Sequence, residues 1–279
     1  MGPHLGVRTR ARALAVIPLA LAVGGCSLLR FTGYQPNVYS VGREIALGHA
    51  ISKTVDQEVL LVRHGAMNQM VNAIGQRLID SAPARFKRFP YTFKVVDTPE
   101  VNAFSLPGGP VYVNLGLIET TDTEAQLASV IAHEMAHVAA RHAAKQITAR
   151  QGDNLILAIG LSVFGAGVPP IALEGARLGY ILGVLSFSRA DEAEADRLGL
   201  ELMQDAGYDG DAMAQFFKKL ERLRRSEPTV FERFVSSHPL SSDRVAAVRR
   251  TLRILGPPAP AAPHRADNFA IVQALFARD

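Results

Sequence analysis

Disulfide bonds within the chain are excluded, because its 279 residues include a single cysteine, Cys26. A large surplus of one charge sign is also missing. The formal net charge is +4, and it falls to about +1 without Arg8, Arg10 and Arg12, which lie in a segment that we expect to be removed. This balance of charges does not indicate the basic surface by which proteins bind nucleic acid. With 48% hydrophobic and 20% charged residues, the composition is that of a folded domain rather than a disordered chain.

The N-terminal segment has the order of a bacterial export signal. Arginines precede the apolar run Ala13–Val23, which is too short to span a bilayer. The following Gly24-Gly25-Cys26 resembles the lipobox, whose cysteine is lipidated and becomes the new N-terminus. We therefore expect a signal peptide at residues 1–25 and a lipidated tether at residues 26–40. Ser27, in place of aspartate, favours the periplasmic face of the outer membrane in a host that has one.

Apolar patterns predict helices on both sides of a small sheet. Residues 41–82 have the periodicity of two helices, and residues 91–96 alternate as a strand. Pro107-Gly108-Gly109-Pro110 forms a sharp turn into a second strand at residues 111–114. Further helices follow, including one at about residues 211–225 and one at about residues 242–255 that ends at Gly256. The predicted class is therefore α+β and mainly helical.

One segment leaves three alternatives open. Residues 154–173 carry no charge and are long enough to cross a membrane, but Pro169-Pro170 and several glycines interrupt them. A buried core hairpin, an interfacial segment and a membrane span all remain possible interpretations. The segment lies inside a domain expected at residues 41–255, which a Pro/Ala-rich tail follows at residues 256–279. Within this tail, residues 268–277 could form one more helix, although nothing in the sequence requires it.

The strongest chemical signal is an HExxH motif in an Ala-rich helical stretch. Residues four apart share a helix face, so His133 and His137 can direct two imidazoles at one ion, with Glu134 beside the open coordination position. A capping box at Thr121 begins the predicted helix, which continues to about Arg150. This is the geometry of a zinc hydrolase; ordinary helix histidines are the competing interpretation.

A catalytic zinc takes three protein ligands and leaves one position for water, so the motif needs a partner. The metzincin pattern is excluded, because alanines occupy the places of its glycine and third histidine. His142 lies about half a turn around the same helix, and we interpret it as a surface residue or a support for a ligand. A second helix, N-capped by Ser188, instead presents Glu192 and Asp196 on one face.

In combination, these motifs resemble the zinc metallopeptidase family of HtpX, BepA, LoiP, the mitochondrial Oma peptidases and the type I CAAX prenyl proteases. Asn102–Asn114 is similar to the segment that leads into the active-site edge strand of that family, and Ser237-His238-Pro239 with Arg244 is similar to its C-terminal His and Arg positions. The resemblance covers about residues 41–255 and implies a zincin-type (gluzincin) domain. It is closest to a compact lipoprotein of the LoiP kind, since we find neither a tetratricopeptide-like repeat after Leu255 nor the four spanning helices typical of HtpX.

The resemblance also implies the roles of the site residues. It implies one zinc ion held by His133, His137 and Glu192. Glu134 is implied as the general base, and Asp196 as an acid that supports a ligand histidine or the helix.

Two further roles come from the same resemblance. His238 is implied either as a fourth zinc ligand that keeps the enzyme latent or, with Arg244, as a donor to the oxyanion; a plain loop histidine before proline is the competing interpretation. Substrate is expected to add as an extended strand to an edge strand. That edge strand is expected at four residues, Val111, Tyr112, Val113 and Asn114.

The implied function is that of a zinc-dependent endopeptidase of the bacterial cell envelope that cleaves misfolded or unassembled envelope proteins. One alternative is an envelope assembly chaperone or scaffold whose zinc site is structural or latent. Another is a polytopic membrane protease, which would require residues 154–173 to span the bilayer. The sequence gives no indication of oligomeric state.

Overall fold

The computed structural model describes residues 37–149, 186–226, 237–239, 242–260 and 267–276. The predicted signal peptide, Cys26 and the uncharged residues 154–173 lie outside these ranges. Within them, no helix combines the length and the apolar character that crossing a bilayer requires.

The described residues form helices around a small sheet. The helices are α1 Val41–Glu58, α2 Gly65–Ser81, α3 Ala84–Lys87, α4 Leu115–Thr120, α5 Glu124–Ala139, α6 His142–Ala149, α7 Arg189–Asp205, α8 Asp211–Ser226, α9 Ser242–Leu255 and α10 Asp267–Phe276. The strands are β1 Thr92–Val96, β2 Ala103–Ser105 and β3 Pro110–Asn114. The predicted α+β, mainly helical class is confirmed.

The two N-terminal helices follow the predicted periodicity. Ser40 caps α1 by accepting a hydrogen bond from the backbone N–H of Arg43 at 3.3 Å. The periodic apolar side chains of both helices are buried: Ile51 and Val55 on α1, and Met67, Met70, Val71, Ile74 and Leu78 on α2. Burial of one face explains why both helices form.

The sheet corrects the predicted edge strand. Its order is β1-β3-β2, with β1 parallel and β2 antiparallel to β3. Residues 111–114 therefore lie in the central strand, which is fully buried, and cannot offer a free edge. Strand β2 was not predicted, because a strand of three residues is too short to show an alternating pattern in the sequence.

The turn between β2 and β3 is confirmed, and it requires its glycines. Gly108 and Gly109 have φ values of 77° and 132°, which disfavour any residue with a Cβ. Helix α1 lies directly on this turn, since a Cβ at Gly48 would be 1.6 Å from the carbonyl oxygen of Pro107. The contact holds α1 against the loop that leads into the central strand.

Helix α5 is the centre of the core. Its residues are buried almost without exception, and its most extensive helix contact within the described residues is with α7. The predicted capping box at Thr121 is wrong: the N-cap is Thr123, whose hydroxyl accepts from Gln126 N at 3.2 Å. Thr121 instead donates its hydroxyl to the Ile118 carbonyl at 2.7 Å, at the end of α4.

The helix predicted to reach Arg150 is interrupted. α5 ends at Ala139, and Arg141 has a left-handed φ of 62° before α6 begins at His142. Arg141 is held there by buried Glu44, which accepts from its Nε at 2.6 Å, and by the carbonyl of Tyr39. Burial raises the pKa of Glu44, and the bond and charge of Arg141 oppose that rise. The break depends on these long-range contacts, which the local sequence does not show.

Part of the predicted C-terminal tail is folded. Gly256, with a φ of 80°, follows the end of α9 as expected, but α10 then forms inside the tail. Phe269 and Val272 of α10 are buried in the core, and Gln273 donates to carbonyls of residues 118 and 121. The tail therefore contributes to the same core as α2 and α5.

Candidate metal centre

Helix α5 places the two motif histidines one turn apart. His133 and His137 are 5% and 1% exposed, and their Nε2 atoms lie 3.0 Å apart. Two buried ring nitrogens face the same point because residues four apart share a helix face. The geometry that the HExxH motif predicts is therefore present.

Helix α7 brings a carboxylate to the same point. Ser188 and Asp191 form a capping box that fixes the first turn of α7, and Glu192 follows it. The Glu192 oxygens lie 3.4 Å from His133 Nε2 and 3.4 Å from His137 Nε2. Glu192 is 2% exposed, so all three polar side chains meet in the protein interior.

His238 completes the group. Its Nδ1 lies 2.9 Å from Glu192 Oε1 and 3.4 Å from His133 Nε2, and its side chain is 1% exposed. One donor atom from each of the four residues lies within 4.8 Å of the others. Its neighbour Ser237 accepts a backbone hydrogen bond from Phe187 at 3.3 Å, which holds the histidine segment against the start of α7.

The donor set fits a tetrahedral metal ion. With zinc–ligand bonds of about 2.0–2.1 Å, tetrahedral ligand atoms are separated by about 3.3–3.4 Å. Five donor pairs, counting both Glu192 oxygens, are separated by 2.9 to 3.4 Å, close to this spacing, and the set with one atom from each residue lies within 4.8 Å. Imidazole and carboxylate are ligands that zinc takes in proteins. Buried lone pairs this close are unfavourable unless a cation lies between them.

The pKa shifts of the donor side chains also favour a cation at this point. Burial lowers the pKa of His133, but hydrogen bonds and charges from Asp196 and Glu192 outweigh it and raise this pKa to about 9. Burial keeps the pKa of His137 well below its ordinary value. Burial raises the pKa of Glu192, yet His238 and the motif histidines bring it well below its usual range. The group thus stabilises one positive charge at its centre, which a metal ion would supply in place of a proton.

Asp196 supports His133 from behind. Its Oδ1 lies 3.0 Å from His133 Nδ1, and the Arg244 guanidinium binds its two oxygens at 2.8 and 2.7 Å. Arg244 Nη1 also lies 2.9 Å from Glu192 Oε2, and the guanidinium lies over the Phe217 ring. Because its donors are engaged by these carboxylates, the structure does not support the predicted oxyanion role of Arg244. It instead holds two acids in place.

His142 supports His137 in a comparable way. The two Nδ1 atoms lie 2.9 Å apart, and His142 Nε2 lies 3.2 Å from Glu194 Oε2. His142 is 1% exposed, so the predicted surface position is wrong, and its contact with His137 is consistent with the alternative, the support of a ligand. The break at Arg141 explains the error, since His142 does not continue the α5 helix. Phe187, which no sequence pattern indicated, stacks on the His137 ring, with ring centroids 3.9 Å apart.

Glu134 lies beside the four donors and has two different oxygens. Oε2 accepts a hydrogen bond from Ser105 Oγ at 2.9 Å, whereas Oε1 is buried without a hydrogen-bond partner in the described residues. His238 Nε2 is 3.4 Å from Oε1. Ser105 was not predicted as a site residue; its only signal was its place in the segment before the turn.

Comparison with known proteins agrees with this geometry. The model of peptidase family M48 matches residues 66–252, which include all four donors. The beta-barrel assembly-enhancing protease of Escherichia coli is 32% identical over 224 residues, covering 78% of this chain and 45% of that protein. The putative beta-barrel assembly-enhancing protease of Vibrio cholerae is 33% identical over 233 residues, covering 81% of this chain and 47% of that protein.

A mitochondrial relative is similar as well. The mitochondrial metalloendopeptidase OMA1 of Danio rerio is 34% identical over 200 residues, which cover 68% of this chain and 41% of that protein. The chain thus spans about half the length of the curated relatives it matches. The family match covers more than half of the chain and contains the HExxH motif. The chain belongs to peptidase family M48.

Proposed function

We propose that the chain is a zinc-dependent endopeptidase in which His133, His137 and Glu192 hold the ion. One observation carries this proposal: donor atoms from α5, α7 and the His238 segment lie within 4.8 Å of one another, beside the Glu134 carboxylate. A purely structural zinc site would not need that additional acid.

The side chains define the remaining steps. When bound, zinc supplies Lewis acidity and lowers the pKa of a water toward neutrality. Glu134 then accepts the proton of the attacking water and delivers it to the leaving amine. Asp196 and Arg244 keep His133 oriented, and His142 does the same for His137.

We propose that the structure represents a latent state in which His238 takes the fourth ligand position. Its Nδ1 lies among the other donors, at 2.9 Å from Glu192, rather than at a distance suited to an oxyanion beside them. Because catalysis needs an open position for water, the Ser237–Pro239 segment would have to move away.

Substrate is proposed to add to β2. Backbone bonds from Asn114 N to Asn102 O, at 3.0 Å, and from Leu106 N to Pro110 O, at 2.8 Å, identify the hydrogen-bonded pairs of β2 and β3. By antiparallel alternation, the N–H and C=O of Ala103 and Ser105 face away from β3. All three residues of β2 are buried in this structure, so these groups would have to become exposed before an extended peptide could pair with them through its main chain. Such pairing would allow broad sequence tolerance.

The proposed substrates are misfolded or unassembled envelope proteins, and the proposed location is the cell envelope. The N-terminal export signal and lipobox support this, with attachment to the membrane through a lipid on Cys26. The printed names of the Escherichia coli and Vibrio cholerae relatives link proteolysis to beta-barrel assembly in those proteins.

The deciding experiment combines metal analysis with digestion of a loosely folded substrate such as casein. Glu134→Gln should keep stoichiometric zinc and lose activity by about 10²- to 10⁴-fold, because a positioned proton acceptor contributes that much. Glu192→Gln combined with His238→Ala should lose both zinc and activity, because only His133 and His137 remain as ligands. Glu119→Gln, at an exposed acid on α4, is the matched control. Unchanged turnover in Glu134→Gln rejects the general base, and full zinc content in the double variant places the third ligand elsewhere.

His238→Ala separates the two candidate functions. If His238 closes the site of a peptidase, its removal should raise casein cleavage several-fold while zinc remains bound by the other three ligands. The fully closed four-donor group also favours an assembly chaperone or scaffold with a latent zinc site. That alternative predicts that His238→Ala keeps zinc and cleaves nothing.

A further inference from the structure

A buried serine contacts the proposed general base from the sheet side. Ser105 Oγ donates to Glu134 Oε2 at 2.9 Å, and the two residues are 4% and 0% exposed. They come from different elements, β2 and α5, separated by 29 positions in the chain. A buried hydroxyl is costly unless it is hydrogen-bonded, and the partner that the structure gives this hydroxyl is the Glu134 carboxylate.

The bond makes the two oxygens of Glu134 unequal. With Oε2 held by Ser105, rotation of the carboxylate is restricted, and Oε1 stays directed toward the donors, 3.4 Å from His238 Nε2. Oε1 is the buried oxygen without a hydrogen-bond partner in the described residues. It is therefore the oxygen available to accept a proton from water.

The neighbouring residue fixes which way Ser105 faces. Phe104 stacks on Tyr112 of β3, with ring centroids 4.8 Å apart, and belongs to the apolar cluster that contacts α1. Because side chains alternate along a strand, Ser105 points to the opposite face, where α5 lies. The register places Ser105 opposite Val111, and from there its hydroxyl reaches Glu134 on α5.

From this arrangement we propose that Ser105 is a positioning residue that orients the general base and links it to the substrate strand. The inference rests on the proposed peptidase function. The main-chain groups of Ser105 face the edge where substrate is proposed to pair, while its side chain holds Glu134. Ser105 thus sets both the position at which the substrate peptide pairs and the orientation of the Glu134 carboxylate. A small displacement of either reacting group slows the reaction strongly.

The test compares Ser105→Ala with Ser105→Thr in the full chain, combined with His238→Ala if the parent cleaves slowly. Ser105→Ala should lower kcat about 10- to 100-fold, with KM within about twofold, unchanged zinc content and little change in Tm. Ser105→Thr keeps the hydroxyl and should recover most of kcat. Ser129→Ala is the matched control, since its buried hydroxyl bonds the Gln126 carbonyl on α5 at 2.6 Å. It should leave kcat unchanged.

Each other outcome overturns the inference. Parental kcat in Ser105→Ala would show that Glu134 needs no such support. A raised KM or lowered Tm at constant kcat would assign Ser105 to the strand alone, and zinc loss would assign it to the metal site. Glu134→Gln, measured beside these variants, distinguishes failure of the proposed function from failure of this inference. If Glu134→Gln remains active, the proposed function fails. If Glu134→Gln is inactive and Ser105→Ala is fully active, only the role of Ser105 is rejected.

Discussion

The two histidines of the motif are supported by different chemistry. The outer nitrogen of His133 meets Asp196, a carboxylate fixed by Arg244, whereas the outer nitrogen of His137 meets His142. A carboxylate strengthens a ligand by its charge, while a histidine can only orient it unless it is itself polarised. Glu194, 3.2 Å from His142 Nε2, provides that polarisation from a position open to solvent.

The residue-level prediction concerns His142. His142→Ala should weaken zinc binding by about 10- to 100-fold, because His137 would lose the contact that fixes its ring. Competition with a chelator of known affinity measures the change. His49→Ala, at an exposed histidine of α1, should leave zinc affinity as it was. Equal affinity in both variants would mean that Phe187 stacking alone orients His137.

The site residues differ in how much of their role the sequence alone could predict. His133, Glu134 and His137 follow from local spacing, since i and i+4 need only a helix. Glu192 could be named only through the resemblance, as spacing alone shows a carboxylate on a helix and not the partner of that helix. Ser105 could not be found, because its role depends on strand order, which the sequence does not encode within any short window.

At the scale of elements, the approach of α5 and α7 decides whether the donors meet. Gly199 on α7 lies against the backbone of α5, and a Cβ there would be 3.2 Å from His133 N. The glycine therefore lets the helix that carries Glu192 come close to the helix that carries the motif.

The element-level prediction follows from this contact. Gly199→Ala should push the helices apart by a few tenths of an ångström and weaken zinc binding and cleavage. Overpacking costs about 1–3 kcal/mol, and the better helix propensity of alanine offsets about 1 kcal/mol of it, so the free energy of unfolding should fall modestly. Gly42→Ala on α1, with no atom within 4 Å of the added Cβ, should not lower either quantity. Zinc affinity and thermal unfolding measure both effects; gain of stability in Gly199→Ala would contradict close helix contact.

Elements with a strong periodic pattern were predicted, and those defined by long-range contacts were not. α1, α2, α8 and α9 appear where apolar spacing places them. The prediction that residues 111–114 form the edge strand was wrong, because pairing partners are set by the whole sheet. The end of α5 was wrong because a pairing with Glu44, 97 positions away, stabilises the left-handed Arg141.

At the scale of the whole molecule, the metal centre joins segments that are distant in the chain. Its donors come from α5, α7 and the segment at His238, up to 105 positions apart. A bound ion would therefore connect the central helix α5 to α7 and to the segment at His238. The predicted resemblance is confirmed by the family match, while the lipid anchor and the domain limits remain predictions.

The corresponding prediction is made for metal removal. At zinc concentrations of about 100 Kd, binding stabilises the folded state by about 2.7 kcal/mol. For a domain of this size a chelator should then lower Tm by about 5–10 °C, and added zinc should restore it. Glu192→Gln combined with His238→Ala serves as the control, because with two ligands left it should show no response to chelator. A Tm that stays constant after verified removal of the metal would contradict the expectation that the ion stabilises the fold by joining these segments.

Arg141 has a mechanical consequence. Its side chain is bound by Glu44 and Tyr39 at the start of α1, and its backbone follows directly after the helix of His133 and His137. Tension on the polypeptide upstream of α1 would thus reach the end of that helix through the Arg141 guanidinium, besides the other contacts of α1. Fusion partners or surface immobilisation at that end should be given a slack linker when cleavage rates are compared.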